Sequence, residues 1–384
     1  MKKLYNKLDK KFLLIILIFT IFGLVMVFSA SSISAVLYNK VESTYFFKRQ
    51  AFIAIAMWLI GLFFIIRIPT SKYKYLAKAY FYIILIILAL IFPYGSITNS
   101  AKSWFKIGPI TIQPSEFLKT ALILYFGVFY EKIILKKEFN SNKIYVPIVL
   151  GVIGVGLVAI QPDLGTAIII AGILGLLIIF MPIKSKGYNL LKKSGVVLCF
   201  LLVLFVVLSG NLLTKEQMDR LNFKNPCTRY TEKTGYQVCN GFIAIHNGRL
   251  TGLGLGNSTQ KYLYLPEAHT DFIFAIIVEE LGAIVGVLII LGYGIMLYRI
   301  LKISKEAETL RGSILSYGTF LFLLFHILIN LLGVLAVIPL TGVPLPLLSY
   351  GGSFNMNILM MLFVVQRISI ESKTIKSRKD IANL

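Results

Sequence analysis

Five ionisable side chains interrupt a stretch that otherwise has the composition of a membrane helix, YLPEAHTDFIFAIIVEELG at residues 264–282. A charge at the centre of such a helix costs roughly 2.5–3.5 kcal/mol, so residues of this kind usually serve a site or a partner. Asp271 begins the predicted helix, where it either complements the helix dipole, with Thr270 as a cap, or serves a substrate. Glu279 and Glu280 lie about 12 Å further along. We expect them either to pair with a neighbouring helix or to line a cavity.

Two other predicted helices carry ionisable residues at the same end. In WFKIGPITIQPSEFLK, Pro114 suits a first helical turn, and Glu116 and Lys119 share one face. Lys119 then lies just inside the membrane, which is unusual unless it meets an anion. In AIQPDLGTA, Asp163 begins the next helix, where capping is its simplest role. Together with Asp271, these residues predict a polar site on one side of the membrane.

Three further patterns predict local structure rather than chemistry. The prolines and glycines of PLTGVPLPLLSYGGSFN, residues 339–355, are tolerated at membrane depth only where they line a cavity or are buried in protein. TGLGLGNS, residues 251–258, lacks the strand–turn–helix context and the Gly-Lys-Ser/Thr ending of a phosphate loop, so it predicts a flexible turn. His326 and Asn330 share a helix face, which predicts interhelical hydrogen bonds.

The composition is that of a membrane protein. Of the 384 residues, 57% are hydrophobic and 15% are charged, and long apolar runs recur along the chain. Helices are the expected form, because backbone groups in lipid must be satisfied within the segment, and the period-two pattern of a membrane barrel is absent. We predict an all-α polytopic fold of about ten transmembrane helices, at 12–37, 50–66, 78–94, 114–135, 145–160, 164–182, 190–210, 271–298, 312–338 and 350–368.

Basic residues indicate the orientation of these helices. If the N-terminus is cytoplasmic, the six cytoplasmic segments hold 26 of the 39 Lys and Arg residues but seven of the 17 Asp and Glu residues. Cytoplasmic loops are enriched in Lys and Arg, so this asymmetry predicts both termini inside and Asp271 outside. The net charge of +22 is therefore a topology signal that suits anionic membrane lipid, and nucleic acid is not an expected partner.

One long segment, residues 211–270, is too polar to cross the membrane, and we predict an extracellular loop before the eighth helix, within a single membrane domain of residues 1–384. Cys227 and Cys239 lie in this loop, where an oxidising exterior allows a disulfide, and two free thiols are the alternative. A bridge would stabilise the loop by roughly 3 kcal/mol. The scattered histidines and the cysteine spacing do not predict a zinc site.

Several motifs resemble one known family. QPSEFLK, QPDLGTA, GLGNSTQKYLYLPEAHTDFIFAIIVEELG and LPLLSYGGS look like the SEDS proteins (shape, elongation, division and sporulation) and occur in the family's order. The ten-helix layout with its long extracellular loop also matches, so the resemblance covers nearly the whole chain. Residues 257–280 look closer to the division members than to the elongation members, and the sporulation members are the less favoured alternative. Two departures are Ser103, where the family usually has Arg, and Phe354, which ends SYGGSF where the family has SYGGSS.

The resemblance implies an activity and partners. SEDS proteins are peptidoglycan glycosyltransferases, which polymerise lipid II, a disaccharide-pentapeptide on undecaprenyl pyrophosphate, into glycan strands. A class B penicillin-binding protein crosslinks the product, and it and other division proteins are the implied partners. The implied location is the bacterial plasma membrane at the division septum. The sequence requires no cofactor; a divalent cation, Mg²⁺ or Mn²⁺, suits the pyrophosphate, but no ligand cluster demands one.

The family's essential acidic residue falls on Asp271, which makes Asp271 the candidate general base for the attacking sugar hydroxyl. The resemblance also implies six substrate-binding residues, which are Trp104, Glu116, Lys119, Asp163, Arg220 and His269. Among them, Lys119 and Arg220 are expected to stabilise the anionic pyrophosphate leaving group, together with helix N-termini. Glu279 and Glu280 are then expected to serve the cavity or the packing rather than the reaction.

A transporter that moves lipid-linked precursor across the bilayer is the alternative function. Intramembrane carboxylates and broken helices are also features of transporters. The sequence has no clear inverted repeat, and its polar residues gather at the outer face rather than at the midplane. These two features favour the enzyme. A third possibility, a scaffold that only recruits division proteins, leaves the ionisable residues at the membrane edge unexplained.

Overall fold

The described part of the chain is built mainly from α-helices. In this computed structural model the described residues are 5–98, 101–108, 110–138, 142–183, 185–193 and 223–382. The helices are α1 Lys10–Leu37, α2 Tyr45–Ile60, α3 Tyr73–Tyr94, α4 Pro114–Leu135, α5 Val146–Ile160, α6 Leu164–Phe180, α7 Lys233–Gly248, α8 Ile273–Lys305, α9 Leu310–Val334 and α10 Gly352–Ala382. A π-helical turn, Gly61–Ile65, extends α2, and residues 186–193 are also helical.

The lengths and apolar character of these helices suit a bilayer. Within the described residues, seven helices are long and apolar enough to cross a membrane, namely α1, α2 with its π-helical turn, α3, α5, α8, α9 and α10. α6 is apolar but shorter, and α4 carries several ionisable residues. The chain is therefore a multi-pass membrane protein, as predicted. The predicted seventh span, residues 190–210, lies mostly outside the described residues.

The helices differ in how much of their surface the protein buries. The most apolar window of α10 is 83% buried, whereas that of α2 is 22% buried. Most side chains are also buried in the N-terminal turns of α4 and α8 and in the C-terminal turns of α9. These three helices and α10 therefore form the centre of the bundle. α2, its π-helical turn and α3 instead expose large apolar side chains such as Phe52, Phe64 and Ile86, which is the expected surface for lipid contact.

Two segments between the helices are more ordered than predicted. Ser96–Thr98, Ala101–Ile107 and Ile110–Ile112 form β1, β2 and β3 of a small antiparallel sheet that leads into α4. The all-α prediction missed this sheet because its outer strands are too short to give a period-two pattern. α7 lies within the segment predicted as a polar loop. Cys227 and Cys239 form a disulfide at this helix, so the bridge is confirmed and the free-thiol alternative is wrong.

α8 is interrupted at Gly282, whose φ of 87° and ψ of 165° are not helical. The backbone of residues 249–254 fills the gap. Its N–H groups donate to the carbonyls of Glu279 and Glu280 (3.0 and 2.9 Å), and its carbonyls accept from the N–H groups of residues 283–284 (2.9 and 3.3 Å). These bonds satisfy backbone groups that a broken membrane helix would otherwise leave unpaired. The turn predicted for TGLGLGNS is confirmed, and backbone hydrogen bonds tie it to the broken helix.

The side chains of Glu279 and Glu280 hold the next part of the same segment. Glu279 accepts hydrogen bonds from hydroxyl and backbone N–H groups of residues 258–260, including Thr259 Oγ1 at 2.8 Å. Glu280 forms an ion pair with Lys261 (2.9 Å) and accepts from the Ser29 hydroxyl of α1 (2.7 Å). Both carboxylates are fully buried. Of the two roles expected for them, pairing within the protein is the one the structure supports.

Candidate active site

Asp271 lies just ahead of α8 and is partly buried. The helix begins at Ile273 with Phe272 as its N-cap residue, and no side chain caps it. Thr270 instead donates its hydroxyl to Glu267, whose carboxylate oxygen is 2.6 Å away. Of the two roles expected for Asp271, the structural one, a first-turn acid with Thr270 as the cap, does not match the structure.

The backbone around Asp271 is held by three donors from other parts of the chain. The carbonyls of residues 269–271 accept, in order, from Tyr350 N (2.9 Å), Ser349 Oγ (2.6 Å) and Asn330 Nδ2 (2.7 Å). Asn330 also donates to the carbonyl of Val343 (2.8 Å). The bond predicted for Asn330 was one between helices, whereas both of these acceptors lie in non-helical backbone. Every carbonyl of this short segment is thus bonded, so the backbone that carries the Asp271 side chain is held in place by the protein.

The irregular backbone between α9 and α10, residues 339–351, is called the site loop here. A β-carbon on Gly342 would lie 3.3 Å from Asp271 Oδ2, so the carboxylate lies directly against the loop. On the other side, a β-carbon on Gly165 would lie 2.9 Å from the carbonyl oxygen of Thr341. The site loop therefore joins Asp271 to the N-terminus of α6. Its residues 345–349 are buried, as predicted for irregular backbone at membrane depth.

Asp163 caps α6 and also contacts the chain ahead of α4. Its Oδ1 accepts from Thr166 N (3.2 Å), which confirms the capping prediction. Its Oδ2 accepts from the Gln113 side-chain amide (2.8 Å), and Gln113 N donates to Ser353 Oγ (3.3 Å). Sequence reasoning did not single out Gln113. The signal was present, because the same Gln-Pro doublet recurs ahead of Asp163 at Gln161.

A buried network lies beneath the site loop. Lys119 forms an ion pair with Glu116 (2.7 Å) and lies 2.8 Å from His326 Nε2. The ammonium can only donate, so Nε2 accepts and the proton of the neutral ring is on Nδ1, which faces the Pro344 carbonyl at 3.3 Å. The shared face predicted for Glu116 and Lys119 is confirmed, and so is the interhelical bonding of His326. The anion that Lys119 meets is Glu116 itself.

His269 packs between two aromatic side chains at the edge of this region. Its ring centroid lies 4.7 Å from that of Phe46 and 5.6 Å from that of Tyr350. Burial lowers the pKa of His269, and the nearby Glu267 carboxylate opposes that shift. At neutral pH the ring is therefore uncharged, and it suits stacking against an apolar or sugar surface more than binding an anion.

The structure does not bring every predicted site residue to Asp271. Trp104 lies in β2, where its carbonyl accepts from Ser96 Oγ (3.0 Å), on the hairpin that leads into α4. Arg220 lies outside the described residues. Asp271 lies against Gly342 of the site loop, and Gly165, two residues after Asp163, lies against Thr341 of the same loop. Lys119 is linked to the loop through His326, whose Nδ1 faces the Pro344 carbonyl. Within the described ranges, no group of three or more His, Cys, Asp or Glu residues could hold a metal ion.

The fold and the site together define an integral membrane protein with a polar centre at one end of its helices. Its distinguishing parts are a positioned carboxylate, a broken α8 and a loop rich in proline and glycine. The family model for FtsW, RodA and SpoVE, described as cell cycle protein, matches residues 9–374. The chain belongs to this family.

Relatives cover almost the full length of the chain. It is 37% identical over 385 residues to the probable peptidoglycan glycosyltransferase FtsW of Bacillus subtilis, covering 99% of this chain and 94% of the relative. It is 34% identical over 376 residues to stage V sporulation protein E of the same organism, covering 95% and 98%. An FtsW of Haemophilus influenzae is 34% identical over 375 residues, covering 95% and 91%.

Two solved structures share the fold. A chain from a study of how a peptidoglycan synthase complex coordinates polymerization and crosslinking has a TM-score of 0.71 and 22% identity, covering 95% of this chain and 98% of that one. The rod shape determining protein RodA of Thermus thermophilus has a TM-score of 0.64 and 23% identity, covering 94% and 96%. The described helices of this chain therefore form a fold already seen in membrane proteins of the cell wall machinery.

Proposed function

We propose that this chain is a peptidoglycan glycosyltransferase that polymerises lipid II into glycan strands during cell division. Three relatives with this probable activity in their names match it at 32–37% identity along nearly its whole length. The observation that carries the proposal is the arrangement of Asp271. Its backbone is held by three donors at the carbonyls of residues 269–271, and its carboxylate lies against the site loop.

The chemistry needs a base beside a lipid-anchored sugar. A sugar hydroxyl attacks the anomeric carbon of a second lipid-linked disaccharide, a new carbon–oxygen bond forms, and the bond to the pyrophosphate breaks. The hydroxyl proton passes to the Asp271 carboxylate, and undecaprenyl pyrophosphate leaves. A carboxylate on a backbone that is held before the substrate binds suits this role, because that backbone need not reorganise during the reaction.

The residues around Asp271 serve the substrate in different ways. Asp163 is partly exposed and is held by a cap and by Gln113, so it suits a hydrogen bond to a sugar hydroxyl. Lys119 is fully buried with Glu116, and its charge acts on the pyrophosphate through the protein rather than by contact. His269 offers a neutral ring for stacking. We assign Trp104 and Arg220 to substrate binding from the family resemblance alone.

The proposed arrangement in the membrane follows from the charge asymmetry. Ten helices are proposed to cross the bacterial plasma membrane, namely α1–α6, α8–α10 and the span predicted at residues 190–210. Both termini are then cytoplasmic, and Asp271 faces the exterior at the division septum. The long segment of residues 211–270 with its disulfide is then extracellular, where an oxidising environment maintains the bridge. A class B penicillin-binding protein is the proposed partner, because the polymerase makes the glycan strand that the crosslinking enzyme then uses.

The test is a polymerisation assay with purified protein, its cognate penicillin-binding protein and lipid II. Asp271→Asn keeps the size of the side chain and removes the basic oxygen, so the rate should fall by about 10²–10⁴-fold. The matched control is Glu267→Gln, the same chemical change on an exposed residue of the same segment, and it should polymerise at the wild-type rate. Both variants should express and melt like wild type.

Two results would contradict the proposal. If Asp271→Asn polymerises at nearly the wild-type rate, Asp271 is not the base, and Glu116 becomes the next carboxylate to test. If the wild-type protein with its partner makes no polymer but moves lipid II between the leaflets of reconstituted vesicles, the chain is a transporter. A fluorescent lipid II in the same vesicles measures both activities on one preparation.

A further inference from the structure

A basic cavity lies far along α8 from Asp271, where the N-terminal segment meets the ends of α8 and α10. It has a volume of about 400 Å³, which falls in the range of about 300–1,000 Å³ typical of small-ligand sites. Residues from three parts of the chain line it, at 6–11, 299–306 and 369–373. None of them belongs to the candidate active site, and neither the family resemblance nor the relatives assign the cavity a role.

The walls of this cavity are held by bonds between the three segments. Arg299 of α8 forms an ion pair with Asp9 (2.6 Å), and Asp9 also caps α1 by accepting from Phe12 N (3.1 Å). Gln366 of α10 donates to the backbone carbonyl of Asp9 (3.2 Å). Lys373 of α10 donates to the carbonyl of Lys7 (3.0 Å). The cavity is therefore formed by the fold itself and does not depend on a ligand to assemble it.

The lining carries an excess of positive charge. Its basic side chains are Lys10, Lys11, Arg299, Lys302 and Lys373. Its acidic side chains are Asp9, which the ion pair with Arg299 neutralises, and Glu306, which is exposed and 3.8 Å from Lys302. Lys10, Lys11 and Lys302 are exposed at its rim. An anion entering the cavity would thus meet several ammonium groups and one exposed carboxylate.

The position and the apolar part of the lining indicate the kind of anion. The cavity lies where two candidate membrane spans meet it with their ends, at the start of α1 and the end of α8. Leu8 and Ile303 supply apolar surface beside the charges. We propose that this cavity binds the phosphate headgroup of an anionic phospholipid of the cytoplasmic leaflet. Basic pockets between transmembrane helices on the cytoplasmic side characteristically bind such headgroups.

The proposal rests on the orientation given above but not on the glycosyltransferase activity. A phosphate group can reach the cavity as part of a lipid or as free phosphate in the cytoplasm, and both would meet the same lysines. The lipid is favoured because the site opens at the membrane boundary and includes apolar side chains. A free anion would gain nothing from either feature.

Native mass spectrometry of the purified, full-length protein tests the proposal. The protein is titrated with phosphatidylglycerol and, separately, with phosphatidylcholine of the same acyl chains. We expect phosphatidylglycerol to be retained at about tenfold lower concentration, and the double variant Lys10→Gln/Lys302→Gln to remove that preference. The matched control is Lys132→Gln/Lys136→Gln. It removes two exposed lysines at the C-terminal end of α4, which the proposed orientation also places on the cytoplasmic side but which lies outside the cavity, and it should behave like wild type.

Each outcome decides the question. Equal retention of the two lipids by the wild-type protein would overturn the proposal, and so would an unchanged preference in Lys10→Gln/Lys302→Gln. A preference lost equally in the α4 control would mean that total charge, not the cavity, selects the lipid. If millimolar inorganic phosphate displaces phosphatidylglycerol fully, the cavity binds free phosphate and the lipid assignment is wrong. Lipid II polymerisation is measured alongside, so that failure of one proposal is not mistaken for failure of the other.

Discussion

Asp163 shows how a carboxylate beside a substrate site can have a mainly structural task. One oxygen caps α6 and the other receives the amide of Gln113. Asn caps helices about as well as Asp, whereas Ala costs about 1 kcal/mol. We therefore expect Asp163→Asn to melt within about 0.5 kcal/mol of wild type, and Asp163→Ala to be less stable, in thermal unfolding of the purified protein in detergent.

The same two variants separate capping from binding. If Asp163 also bonds to a sugar hydroxyl, polymerisation should fall modestly in Asp163→Asn and further in Asp163→Ala, but less than in Asp271→Asn. A loss in Asp163→Asn as large as that in Asp271→Asn would contradict this interpretation. In that case the negative charge of Asp163, rather than its hydrogen bonds, would be needed for the reaction.

His269 predicts a pH dependence of stability. Burial lowers its pKa in the folded protein, so the unfolded chain takes up the proton first as the pH falls. Its contribution to stability is therefore complete above about pH 6.5, the ordinary value for histidine, and declines as the pH drops toward the folded pKa. We expect wild type to lose more stability than His269→Phe between about pH 7.5 and about pH 5.5, measured by thermal unfolding. Parallel pH profiles for the two proteins would contradict the assignment.

Single residues could be predicted only where the local pattern was informative. The cap at Asp163 and the pair of Glu116 and Lys119 follow from spacing along one helix, and both are confirmed. The donors at the carbonyls of residues 269–271 could not be predicted. Ser349, for example, lies 79 residues from the carbonyl it reaches, and no local pattern encodes that distance.

At the scale of elements, the break in α8 is the feature that most shapes the site. The short N-terminal part of the helix before the break, residues 273–281, follows Asp271, and its first eight residues are buried. Backbone bonds to residues 249–254 and the carboxylates of Glu279 and Glu280 anchor its lower end. The donors at residues 269–271 anchor its upper end. Asp271 is thus carried by a half-helix that is fixed at both ends.

Gly282 makes this break possible, which gives a test at the same scale. Its φ of 87° and ψ of 165° are essentially restricted to glycine, and a β-carbon would lie 2.1 Å from the carbonyl oxygen of Leu250. We expect Gly282→Ala to destabilise the protein by about 1–3 kcal/mol or more and to reduce polymerisation.

Gly294 provides the matched control within the same helix. A β-carbon there would contact nothing within 4 Å, so Gly294→Ala should melt at the wild-type temperature or above it. Equal melting of Gly282→Ala and Gly294→Ala would mean that α8 tolerates a continuous helix at the break. The segment at residues 249–254 would then not be needed to complete it.

At the scale of the whole molecule, the orientation in the membrane can be tested through the disulfide. With the proposed topology, Cys227 and Cys239 are extracellular and bridged. A membrane-impermeant thiol reagent should therefore label them in intact cells only after mild reduction, and Cys227→Ser/Cys239→Ser should remove that signal. Labelling that requires permeabilised cells would reverse the orientation and turn the site at Asp271 toward the cytoplasm.

The sequence by itself determined the class of protein, the approximate helix positions and the candidate acid. Apolar runs match the bilayer thickness because each helix must satisfy its own backbone in lipid, so their length is a local property of the chain. Basic residues indicate orientation for a similarly local reason, since each loop carries its own charge. The family motifs identified Asp271 as the candidate acid because they are continuous strings of residues, which can be recognised without knowing the fold.

Only the tertiary structure decided how the ionisable residues pair. Glu280 bonds to Ser29, 251 residues away, and Lys119 lies against His326, 207 residues away. The sequence left open whether Glu279 and Glu280 line a cavity or pair, and it predicted a flexible turn where the segment at 249–254 completes α8. Such contacts depend on which helices become neighbours when the whole chain packs. A buried charge signals that a partner is needed, but packing alone selects the partner.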